Sequence, residues 1–175
     1  MRRFALALAL AVSVAAVVAA AGGSRTSKAS FQVFVDRTIT ASGNGLTLES
    51  ELEGSFNVAA KTANGEGTYA VMAGTTALEQ GTFVLTGLVA FQFYGCGEVE
   101  GMTLPPDFCG GRAIFTFRST STTGQQRDGL YEVNCQVHDP GGQAPPGTSE
   151  GIKANARGVN FNKHVTGDNL FVKLP

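Results

Sequence analysis

The stretch FQVFVDRTITASGNGLTLESELE, residues 31–53, decides the fold class. Phe31, Val33 and Val35 recur at every second position, which puts them on one face of an extended strand. A second alternation runs from Leu46 to Glu53, with Leu48, Ser50 and Leu52 on one face and Glu49, Glu51 and Glu53 on the other. Between the two, Asn44-Gly45 is a favoured two-residue hairpin turn, because both residue types tolerate positive φ. The segment therefore predicts an antiparallel hairpin.

Outward from this hairpin the same pattern continues. Phe56, Val58 and Ala60 alternate, Asn64-Gly65 signals another turn, and Tyr69, Val71 and Ala73 return. Residues 82–94 are the most apolar part beyond the N-terminal run, with Phe83, Leu85, Val89, Phe91 and Phe93 on one face. Gly87 interrupts them and marks a bulge or a strand corner. Ala113, Phe115 and Phe117 follow, then Tyr131, Val133, Cys135 and Val137, with weaker pieces at residues 152–161 and 169–173. No window sustains a helical apolar period. About 8–9 short strands at roughly ten-residue spacing predict an all-β fold, a single antiparallel β-sandwich or barrel. Residues 139–147, with Pro140, Pro145 and Pro146, read as a long surface loop that cannot join a central strand.

The N-terminus sets the expected compartment. Arg2 and Arg3 precede an apolar run of about 15 residues, short of the roughly 20 that span a bilayer, and small residues Ala19, Ala20 and Ala21 follow. This is the pattern of a cleaved helical signal peptide over residues 1–21. A flexible leader at 22–30 and a single β-domain at 31–175 complete the expected organisation. The expected product is secreted and extracellular, or periplasmic in a Gram-negative source, with no membrane span in the mature chain and no N-glycosylation sequon. With 13 basic and 14 acidic residues the net charge is −1, and loss of Arg2 and Arg3 makes the remainder more acidic. That balance argues against nucleic acid as a partner, which needs a concentrated basic face. The expected state is a monomer, and no cofactor is implied.

In an exported chain the three cysteines invite pairing. Cys96 sits in Gly95-Cys96-Gly97 after the Phe-rich strand, and Cys109 precedes Gly110-Gly111 before the next. A Cys96–Cys109 disulfide would close the intervening insert at its neck. Cys135 is in phase with Tyr131 and Val133 and reads as a buried thiol, with an intermolecular bond as the alternative. Zinc is disfavoured because no C-x-x-C spacing occurs.

Three constellations could carry chemistry. Residues 147–151, GTSEG, match the G-x-S-x-G nucleophile elbow around Ser149, but a β-like segment follows where the elbow needs a helix. His138 with Asp139 and His164 with Asp168 sit at expected strand ends, where they could meet to bind a metal or act as a base with its orienting carboxylate. Glu49, Glu51 and Glu53, spaced about 7 Å apart along one strand face, read as a solubilising face unless basic residues or a cation oppose them.

The leading functional expectation is non-enzymatic: a secreted β-domain that binds an extracellular protein or surface ligand through its loops, especially the Pro/Gly loop at residues 139–147 and the stapled insert, with Tyr94, Glu98, Glu100, Asp107 and Phe108 as its ligand loop. One alternative is a small secreted hydrolase or metal-dependent enzyme using His138, His164, Asp139 and Asp168. The other is a structural extracellular coat or matrix component.

Overall fold

The computed structural model describes residues 29–99, 101–137, 149–156 and 158–175. The expected signal peptide, most of the leader, Glu100, His138, Asp139 and the loop at 139–147 lie outside the described residues.

Of the two expected architectures the chain adopts the barrel. Eight antiparallel strands close in the order β1 (Ser30–Ser42), β10 (Val159–Lys173), β9 (Gly151–Ala156), β8 (Gln126–Cys135), β7 (Phe108–Ser121), β4 (Thr76–Cys96), β3 (Thr62–Ala73), β2 (Leu46–Asn57). Two further strands, β5 (Glu98–Val99) and β6 (Met102–Thr103), form a small ribbon inside the stapled insert. Because β9 is short, β10 runs past it and pairs with β7 at Phe171↔Cys109 and Val172↔Phe108. No helix among the described residues is long and apolar enough to cross a membrane.

Closure turns the period-two pattern into inside and outside. Phe31, Val33, Val35, Leu48, Leu52, Phe56, Phe115, Val133 and Phe171 point inward and are buried. The outside carries ion pairs such as Arg118–Asp128 and Arg112–Glu132–Lys153. The three glutamates of β2 face out too, and Arg37 reaches Glu51 at 3.3 Å while Glu53 stands opposite Glu66 of β3.

Four local expectations change. The first loop is three residues long, 43–45, and Gly45 alone adopts positive φ (83°), so Asn44-Gly45 is not a two-residue turn. The second turn is at 58–61, with Lys61 at φ 57° and the Asn57 side chain accepting the Ala60 N–H at 2.7 Å. Asn64-Gly65 instead lies within β3, where Gly65 crosses Gly54 so closely that a Cβ would sit 2.8 Å from its Cα. Finally, Gly87 does mark a bulge, but a second shift at Leu88/Ala90 changes the phase again. Leu88 is therefore inside and Val89, expected with the core, is 48% exposed. The expected piece at 152–161 is likewise divided between β9 and β10 by a turn at Gly158.

The two ends of the barrel differ. At one end the chain enters at β1 and leaves at β10, and a cluster of phenylalanines fills the interior. Phe91 stands 4.9 Å from Phe31, 5.0 Å from Phe56 and 5.5 Å from Phe171, and Phe56 lies 5.4 Å from Phe115. Each such buried ring contributes about 1.5–3 kcal/mol, and edge-to-face pairs about 0.5–1.5 kcal/mol more. The insert is fastened to this end: Cys96 and Cys109 are directly opposite in β4 and β7 and form the expected disulfide. Phe108 O accepts the Gly97 N–H, and Asp107 O accepts the Lys173 N–H, both at 2.8 Å. The opposite end carries the four tight links β1–β2, β3–β4, β7–β8 and β9–β10.

Candidate functional site

Toward the hairpin end the inward positions become small. Ser50 on β2, Ser119 on β7 and Ala154 on β9 occupy places that phenylalanine fills at the other end. Two aromatic side chains also lean against the wall. Gly67 is opposite Phe83 and Gly129 is opposite Phe117. A Cβ on either glycine would lie 2.6 Å or 2.8 Å from the facing ring, so hydrogen in place of a methyl lets each ring settle onto the neighbouring strand. What remains is a cavity of about 300 Å³. An eight-stranded barrel is just wide enough either to fill with side chains or to hold one small ligand.

Leu46, Leu78 and Val159, at the first positions of their strands or close to them, ring the open side, and Leu78 is 58% exposed. Leu48, Val71, Ala154 and Phe161 form the walls, with Phe83, Phe117 and Tyr131 deeper in. These three rings touch: Phe83 to Tyr131 at 5.2 Å and to Phe117 at 5.8 Å.

Two polar groupings interrupt this apolar lining. Deep in the barrel the Tyr131 hydroxyl is 2.9 Å from Ser50 Oγ, which in turn donates to Thr68 O at 3.4 Å. Burial raises the Tyr131 pKa, so the phenol stays protonated. Nearer the rim, Tyr69 donates to Glu79 Oε1 at 2.7 Å, and Arg127 pairs with the same carboxylate. Burial first, then the bond to Glu79, pushes Tyr69 up to about 12. Among the described residues lining the cavity, Glu79 and Arg127 alone are charged.

The residues expected to form a ligand loop differ in exposure. Tyr94 is 2% exposed, and its hydroxyl donates to Asn134 Oδ1 at 2.8 Å, which builds it into the barrel wall. Glu98 and Asp107 are exposed on the insert, and Phe108 is half-buried beside β10. All belong to the end opposite the cavity. Cys135 is a buried free thiol, pushed up to about 12 by burial and by Glu150.

His164 is half-buried opposite Thr40, its Nδ1 against Gly151 and without a hydrogen-bond partner. Asp168 is exposed opposite Asp36, and no hydrogen bond or ion pair joins it to His164. Among the described residues no three His, Cys, Asp or Glu side chains gather to hold a metal. Ser149 leads directly into strand β9, so the helix that a nucleophile elbow needs is replaced by extended chain.

Sequence reasoning missed the cavity and one half-buried carboxyl. Glu150 accepts the Gln136 N–H at 2.6 Å and Asn169 Nδ2 at 3.2 Å, and burial raises it to about 7. The cavity had a faint signal: Ser50 between Leu48 and Leu52, and Arg127 in phase with Gly129 and Tyr131, put polar residues on an otherwise apolar face.

No family model, no curated protein and no solved structure matches this chain. A functional reading therefore rests on the geometry of the barrel.

Proposed function

We propose that this chain is a secreted, non-enzymatic binding protein that holds one small, largely apolar molecule in the hairpin end of its barrel. The observation that carries the reading is the cavity of about 300 Å³, at the lower bound of the usual range for ligand sites, with mostly apolar walls and a few placed polar groups. Burying a molecule against Leu48, Phe83, Phe117 and Phe161 supplies the driving force, at about 25 cal/mol per Å² of apolar surface removed from water. Export is part of the proposal. It is supported by the basic, apolar and small-residue sequence of residues 1–21, and the Cys96–Cys109 bond suits an oxidising compartment.

The test is titration with the neutral, environment-sensitive dye N-phenyl-1-naphthylamine. Saturable 1:1 enhancement, displaced by small apolar alcohols, is expected. Replacing residues 98–107 with a short Gly/Ser turn should leave that binding unchanged, because the insert belongs to the other end. Loss of dye binding in the insert variant, with the fold intact by circular dichroism, would move the site to the insert. Absence of saturable binding in the unaltered protein would remove the cavity reading. Intact mass of the secreted product, before and after alkylation without reductant, tests export and the thiol count together.

A further inference from the structure

We infer that the cavity selects uncharged ligands, and that Glu79 is the residue that excludes carboxylates. This rests on the cavity reading above and adds the class of molecule. An arginine beside an apolar cavity ordinarily invites an acid, because guanidinium pairs a carboxylate in fork geometry. Here that place is already taken. Arg127 spends its charge on Glu79, whose Oε1 also receives the Tyr69 hydroxyl, and a further arm of the guanidinium rests on the Gln125 side chain. The pair is largely withdrawn from water, with side chains 15% and 23% exposed.

An incoming carboxylate would have to compete with Glu79 for Arg127 and Tyr69 or lie beside it as a second negative charge. Either way two carboxylates share one guanidinium in a site largely withdrawn from water, which is the costly outcome. An alcohol, ketone or hydrocarbon meets no such obstacle. The Tyr131–Ser50–Thr68 relay passes its protons in one direction, toward a backbone carbonyl, and leaves hydroxyl oxygens to accept from an alcohol.

The experiment compares decan-1-ol with decanoate at pH 7.5, where the acid is ionised, each displacing N-phenyl-1-naphthylamine. The chains are equal, so the head group carries the difference. The alcohol should displace the dye at a concentration at least about tenfold lower. An alcohol also partitions better into any apolar site, so the deciding measurement is Glu79→Gln. The amide still accepts from Tyr69, whereas the Arg127 charge is now uncompensated. Decanoate should gain about tenfold relative to decan-1-ol in E79Q. The double variant Glu79→Gln with Arg127→Gln should lose that gain.

Equal binding of the two ligands by the unaltered protein, or no gain for decanoate in E79Q, would overturn the inference while the cavity reading stands. If neither the dye nor decan-1-ol binds, the cavity reading itself fails and takes this inference with it. Thermal melts of each variant verify that folding is retained.

Discussion

Ala154→Leu separates a true cavity from a packed core, because the two predict opposite signs. Ala154 is 7% exposed and lies on β9 with Tyr131 on one side and Phe161 on the other, all three lining the cavity. In a close-packed interior, three added carbons force side chains off their rotamers and cost about 1–3 kcal/mol. Into about 300 Å³ of free space the same carbons find room. At about 0.8 kcal/mol per buried carbon they contribute about 2.4 kcal/mol. Ordering the leucine side chain takes back about 0.5–1 kcal/mol, which leaves about 1–2 kcal/mol of stabilisation. For a domain of this size that raises Tm by about 2–8 °C, and the urea midpoint should move upward with an unchanged slope. The same variant should weaken dye binding, since the leucine occupies the ligand's volume. A destabilised A154L that binds dye as well as the unaltered protein would refute the reasoning, because it would mean that the space beside Ala154 is neither empty nor used.

Three further outcomes follow from other parts of the barrel. Replacing both Cys96 and Cys109 by Ser should cost about 3 kcal/mol, the chain-entropy value for a loop of this length, while dye affinity in the folded protein stays within about twofold. Phe115→Ala, edge-on to Phe56 and fully buried, should cost about 3–5 kcal/mol in chemical denaturation. Glu150 makes stability fall as pH rises. Its folded pKa of about 7 lies above the ordinary 4.5, so the folded state holds the proton more tightly between those values. Stability is highest below about pH 4.5 for this group and drops by up to about 3 kcal/mol by pH 8, at 1.36 kcal/mol per pH unit. Asp128, held down by Arg118, and Glu132, whose burial works upward but is outweighed by Arg112 and Lys153, act in the opposite sense and at lower pH. Denaturation curves at pH 5 and pH 8 measure the difference, and Glu150→Gln should flatten it.

What could be read in the sequence follows the range of each signal. Alternation is local, so the strands around Phe31, Phe115 and Tyr131 were visible, and so was the Cys96–Cys109 staple at the neck of an insert between adjacent strands. Phase beyond a bulge was not. One shift after Leu85 is announced by Gly87, but the second, at Leu88/Ala90, has no residue that marks it, and it turns Val89 outward. Asn64-Gly65 carries a turn signal, yet Gly65 is there because β2 and β3 cross at Gly54. That requirement comes from a residue eleven positions away, beyond any local pattern. The cavity was hidden for the same reason: Ser50, Ser119 and Ala154 look unremarkable singly, and become a void only when closure brings β2, β7 and β9 around one axis.

The division between the two ends follows from what each end must do. Among the described residues no helix covers either mouth of the barrel, and water in both would leave little dry core. The chain fills one end with phenylalanines, fastens the insert at that end with Cys96–Cys109, and ties the C-terminal strand to the same place through Phe171↔Cys109 and Lys173. That end can then carry the stability of the whole domain. It relieves the hairpin end of the need to be tightly packed, so residues there can be as small as Ser119 and Ala154. The glycines opposite Phe83 and Phe117 fit the same logic, because they let the two rings approach the neighbouring strands β3 and β8 closely. Adding a methyl at Gly129 would press on the Phe117 ring and on Asn155 O, which a Cβ would approach to 2.3 Å. Gly129→Ala should therefore lower stability and dye affinity together, whereas the double cysteine replacement should lower stability alone. A cysteine variant that stays folded yet loses the dye would show that the two ends are coupled, and this account of their separate roles would fail.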